Sequence, residues 1–146
     1  MATLVVSTAL AIAPVASAKS VRYHGKFAGK ASVAVSSSSD TIKSVSGKGG
    51  AAGLTNLAGS HGGGSISGSC ALFKGTATLS GKSGKVKLVI APSSEGCGQG
   101  ATSSVKGSAK ATGLSGRYKK TAGSVKFSGV FHRSTGKFIV TFAGTV

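Results

Sequence analysis

The chain has 146 residues, which suits one domain. Its 18 Lys and Arg face only two acids, Asp40 and Glu95, for a formal net charge of +16. That balance excludes chemistry built on several carboxylates and predicts salt-screened attraction to anionic polymers and surfaces. Hydrophobic residues are 40% of the chain, yet there are 24 Gly, no Trp, six Phe and two Tyr. A core must therefore come from Val, Leu, Ile and a few Phe, with close backbone approach at Gly and Ala.

Residues 1–18 read as a secretory signal. The apolar run "LVVSTALAIAPVASA" is too short and interrupted for a spanning helix and ends in the small-x-small pattern Ala16-Ser17-Ala18, although no Lys or Arg precedes it. Cleavage there leaves a single all-β domain, 19–146, in an extracellular or cell-envelope setting. Two cysteines, Cys70 and Cys97, suit an oxidising compartment. A bridge between them closes a 27-residue separation and contributes about 3 to 4 kcal/mol in the chain-entropy treatment. No His lies near either Cys in sequence and no CxxC spacing exists, so a metal site is not expected there.

Beyond Lys19, Gly, Ser and Thr recur too often for long helices, and apolar residues alternate with polar ones at a period of two. "VRYHGKF" sets Val21, Tyr23 and Phe27 against Arg22, His24 and Lys26. "ASVAVS" and "TIKSVSG" follow as further strand candidates. Residues 47–65 look like a flexible Gly-rich loop, with a short strand near Ile66. "FKGTATLS" sets Phe73, Ala77 and Leu79 against Lys74, and "KVKLVIA" sets Val86, Leu88 and Ile90 against Lys85 and Lys87. "VKGSAKA" opposes Val105, Ala109 and Ala111 to Lys106 and Lys110. "SVKFSGVFH" opposes Val125, Phe127 and Phe131 to Lys126 and His132. "KFIVTFAGTV" opposes Phe138, Val140, Phe142 and Val146 to Lys137.

"SGKSG" and "RSTG" read as hairpin turns. The first centres near Lys82 and Ser83 and places Cys70 nearly opposite Glu95. A bulge at Pro92 would bring Cys97 into line, so the disulfide should close the open end of that hairpin. About eight short strands imply a small antiparallel β-barrel, or alternatively a β-sandwich. Small residues on the core side (Gly75, Ala77, Gly107, Ala109, Gly129, Gly144) favour the barrel, because they let strands curl and the interior taper. A membrane barrel would turn apolar residues and aromatic girdles outward, whereas the non-core face here is full of Lys.

The stretch "GLSGRYKKTAGSVKFSG", Gly113 to Gly129, resembles a G-x-G-R-[FY]-x-x-A-x-G-x-x-x-[FL]-x-G pattern. That pattern is common in secreted bacterial Gly/Ser/Ala-rich β-proteins of unknown function. It is also similar to a strand-turn motif of dirigent and allene-oxide-cyclase-like β-barrels. Leu114 and Ser115 shift the first Gly. The resemblance implies a barrel. Catalytic members of that group use acidic groups inside the cavity, and neither acid of this chain falls in the matched stretch.

Enzymatic chemistry finds little support. Asp40 and Glu95 are 55 residues apart, so a two-carboxylate glycosidase site is not expected. A Ser-His-Asp triad could draw on His24, His61 or His132, but no G-x-S-x-G elbow is present. "HGGGS" lacks the G-K-[ST] ending of a phosphate loop. Two histidines on polar strand faces without a carboxylate make a poor metal site. The expectation is therefore a non-enzymatic protein without a cofactor.

The basic residues are the leading functional signal. Arg22, Lys26, Lys74, Lys85, Lys87, Lys106, Lys110, Arg117, Lys119, Lys120, Lys126 and Lys137 should form a Lys-rich face. That face would adhere to anionic cell-wall polymer, polysaccharide or lipid headgroups. Nucleic acid is a less natural partner, because base stacking needs exposed aromatics and only Tyr118 is flanked on both sides by cations. A barrel that encloses a small apolar ligand is the alternative, and a Ser/His-dependent hydrolase comes last.

Overall fold

The computed structural model describes residues 19–98 and 100–146, with backbone alone at Ser60 and His61. The signal-peptide expectation lies outside the described residues. Eight antiparallel strands form a closed barrel in which each strand pairs with its sequence neighbours. They are β1 (Arg22–Val35), β2 (Ser39–Ala51), β3 (Leu54–Ser67), β4 (Cys70–Gly81), β5 (Gly84–Cys97), β6 (Thr102–Gly116), β7 (Ala122–His132) and β8 (Lys137–Thr145). Closure is made by β1 against β8, from Arg22 opposite Thr145 to Lys30 opposite Lys137. The barrel therefore replaces the sandwich alternative, and full closure leaves no unpaired edge to aggregate.

The period of two becomes the inside and outside of the wall. Phe27, Leu57, Leu79, Leu88, Val125 and Phe142 are buried inward, and the intervening Lys, Ser and Thr face out. All eight aromatics are buried or half-buried. The strands run 9 to 15 residues, so they are long where short ones were expected. "VRYHGKF" and "ASVAVS" prove to be one continuous strand, β1.

The larger correction concerns residues 47–65. This segment is the end of β2, a two-residue turn at Ala52–Gly53, and most of β3. Glycine does not stop it from pairing, because ladder hydrogen bonds come from the backbone. β3 pairs with β2 on one side and β4 on the other, with Gly59 opposite both Val45 and Ala77. Among the core-facing glycines, Gly144 is the exception and is exposed.

The first hairpin behaves as its turn implies. Gly81 pairs with Gly84 around Lys82 and Ser83, and a register shift between Phe73 and Gly75 absorbs Ala91–Ser93 in a bulge at Pro92. Cys70 is thereby opposite Cys97, and the two form a disulfide across β4 and β5.

Candidate functional site

The two ends of the barrel differ. At one end lie the turns β2–β3, β4–β5 and β6–β7 together with the chain segments Lys19–Val21 and Val146. This end is shut. Leu54, Leu79, Val86, Val146 and Tyr118 fill it and are fully buried. The Tyr118 hydroxyl donates to the Ala52 carbonyl at 2.6 Å, tying the β6–β7 turn to the β2–β3 turn. Gly113 is needed here, because a Cβ would collide with the Tyr118 carbonyl. Thr121 Oγ1 donates to that same carbonyl at 2.7 Å.

Tyr23 lies in the same plug and is almost fully buried. Burial pushes its hydroxyl pKa up to about 12; the Ala51 backbone N–H opposes the rise and nearby Tyr118 adds to it. Tyr118, flanked by Arg117 and Lys119, offers no exposed ring for base stacking. Its ring lies beneath the Arg117 guanidinium, 5.8 Å from centroid to Cζ.

The other half of the interior is open. A cavity of about 980 Å³ reaches the turn Gly68–Ser69, Gly98 and Gly100, and the turn Arg133–Gly136 at the disulfide end. Its wall is chiefly apolar, with Val45, Ile90, Phe73, Phe127, Phe138 and Phe142 prominent. Phe127 joins two of the others in tilted contacts, 6.1 Å from Phe73 and 5.7 Å from Phe142 between centroids. Gly59, Gly62 and Gly75 also line it, so the void exists where inward positions carry no side chain.

Asp40 and Arg133 stand at the mouth, and Ser32, Lys74 and Thr76 also border the cavity. Asp40 accepts a hydrogen bond from the Gly64 N–H at 2.7 Å. Arg133 spans the β5–β6 turn: its Nε donates to Ser103 Oγ at 2.9 Å, Nη1 to the Gly100 carbonyl at 2.7 Å, and Nη2 to the Gly98 carbonyl. The fork is thus spent on holding the loop beside the Cys70–Cys97 bridge. Sequence reading passed over Arg133, since a lone Arg in the turn "RSTG" has no pattern to mark it. Only the register, which sets Thr102 opposite His132, shows what it reaches.

The Lys-rich face proves not to be one face. Arg22, Lys26, Lys74, Lys85, Lys87, Lys106, Lys110, Arg117, Lys119, Lys120, Lys126 and Lys137 are all exposed, as expected. They are distributed over six strands and the β6–β7 turn, and Lys43 and Lys48 add β2, which leaves only β3 without a cation. The reason is topological: every strand of a closed meander has an outer side, so cations alternating along each strand ring the wall. One ion pair forms among the described residues, Lys106 to Glu95 at 3.2 Å, with Lys106 largely exposed. A surface pair of that kind contributes about 0 to 1 kcal/mol.

Of the histidines a triad could draw on, His24 and His132 have described side chains. Asp40 is at the mouth, bonded to Gly64, while His24 is opposite Ala143 and His132 opposite Thr102. His24 instead borders a shallow outer depression with Glu95, Lys106 and Lys126. One buried polar atom finds no partner among the described residues. Ser94 Oγ is completely enclosed, seated in the notch left by Gly107 and against Phe127.

No family model, curated protein or solved structure matches the chain. The functional reading therefore rests on the barrel itself.

Proposed function

We propose that this barrel binds a small, largely apolar molecule that enters at the disulfide end. One observation carries the reading: an apolar cavity of about 980 Å³, shut at one end and open at the other. Ligand sites typically occupy about 300 to 1,000 Å³ and combine apolar walls with a few polar groups. The charged side chains at the mouth are Asp40 and Arg133, which favours a ligand with an apolar body and a modest polar end. The reading is of binding without catalysis, because the only acid at the cavity already serves Gly64. The disulfide suits an oxidising compartment.

The test uses N-phenyl-1-naphthylamine, an uncharged fluorescent probe, since an anionic dye would report the +16 charge instead. Ala77 lines the cavity between Gly59 and Leu88, so Ala77→Phe fills empty space without crowding a packed core. Wild type should show saturable uptake, and Ala77→Phe should weaken it at least ~10-fold, about 1.4 kcal/mol, with circular dichroism unchanged. Absence of saturable uptake by wild type refutes the reading. So does unchanged uptake in a folded Ala77→Phe protein.

A further inference from the structure

We propose that the closed end of the barrel docks on an anionic phospholipid surface, leaving the cavity mouth facing away. The inference is independent of what the cavity holds. Lys82 is in the β4–β5 turn, and Arg117, Lys119 and Lys120 are in the β6–β7 turn. The Arg117 N–H donates to the Ser83 carbonyl at 2.8 Å, which joins the two turns. Lys19 is brought alongside by its bridge to Thr121 and by the Ala122 N–H, which donates to the Lys19 carbonyl at 2.8 Å. All five side chains are exposed.

Neither acid is at this end. Asp40 lines the cavity mouth, and Glu95 lies two residues before Cys97, paired with Lys106. The molecule therefore carries a concentrated positive pole opposite the end that holds its acids.

The pole stands on a rigid base. Tyr118 is fully buried beneath it and tied to Ala52, with the Arg117 guanidinium over its ring. Docking would thus order little backbone. Lys120 adds a second observation. Its φ is +66°, where Gly or Asn is held at less cost than Lys. The turn carries a cation there despite that conformational cost.

The chemistry of the pole selects the partner. None of the eight aromatics is exposed, so neither bases nor sugar rings find a stacking surface. Lysines act as point charges without bidentate geometry. A layer of phosphate headgroups requires only such charges, each worth about 1 kcal/mol near the surface.

The experiment is co-sedimentation with vesicles of phosphatidylcholine containing about one-third phosphatidylglycerol, against phosphatidylcholine alone, at low salt and at ~0.5 M salt. Wild type should bind the anionic vesicles and be released by salt. The pole variant Lys82→Gln/Lys119→Gln/Lys120→Asn should bind ~100-fold more weakly, three charges at about fivefold each. Lys26→Gln/Lys87→Gln/Lys126→Gln removes the same charge from the wall and should weaken binding less than ~10-fold. Ala77→Phe should bind vesicles as wild type does, which separates this docking from cavity occupancy. The proposal is overturned if the wall variant loses as much as the pole variant. It is also overturned if both vesicle types bind equally, or if heparin binds while anionic vesicles do not.

Discussion

Removing the Tyr118 hydroxyl tests whether the closed end is a sealed, hydrogen-bonded plug. Tyr118→Phe keeps the ring that fills the end and deletes one atom. That atom donates to the Ala52 carbonyl at 2.6 Å from a residue with no exposed surface. The donor side is buried while Ala52 is exposed in its turn, so the loss should be that of a part-buried neutral hydrogen bond, about 1 to 1.5 kcal/mol. A domain of this size would melt about 4 to 7 °C lower. Tyr118→Ala also leaves a ring-sized void and should cost about 3 to 5 kcal/mol. Urea unfolding followed by far-UV circular dichroism measures both. If Tyr118→Phe matches wild type within about 0.3 kcal/mol, the hydroxyl is solvated and the sealed-plug argument is wrong.

Two other sites give independent tests. Ser94→Ala removes a buried hydroxyl without a partner among the described residues, so stability should hold or rise by up to about 1 kcal/mol in urea unfolding. Gly107→Ala should destabilise, because the new Cβ meets Ser94 Oγ and Phe127, and adding Ser94→Gly should restore part of the loss. Loss of stability in Ser94→Ala comparable to a broken buried hydrogen bond would show a partner for that oxygen. Tyr23 predicts an alkaline response. Its folded pKa, about 12, exceeds the ordinary value of 10.0, so the folded state keeps the proton more tightly. Its stabilisation is complete below pH 10 and is lost as pH rises toward 12. Lysines titrate in the same range, so the measurement is the difference between wild type and Tyr23→Phe. Parallel stability curves from pH 9 to 12 would refute the assignment.

The alternating segments were legible because a barrel wall has one wet side and one dry side. Val86, Leu88 and Ile90 against Lys85 and Lys87 report that geometry directly. The Cys70–Cys97 pairing was legible too, since the turn at Lys82–Ser83 sets the register and Pro92 marks the bulge that completes it. β3 was not legible. Its inward positions include Gly59, Gly62 and Gly64, and a period-two pattern cannot show where side chains are missing. Both neighbouring strands supply its hydrogen bonds regardless.

By itself, the amino-acid sequence determined an all-β chain, its strand faces, its disulfide and its excess of cations, because each depends on local spacing or on composition. Tertiary structure alone decided where the empty space is and where charge gathers. The cavity opens where glycines of β3 and β4 face inward together. The lysines encircle the wall because closure gives every strand an outer side. "GRYKKT" acquires its role only through closure as well: Tyr118 turns inward to seal the barrel, and Arg117, Lys119 and Lys120 are left at its pole beside Lys82 and Lys19.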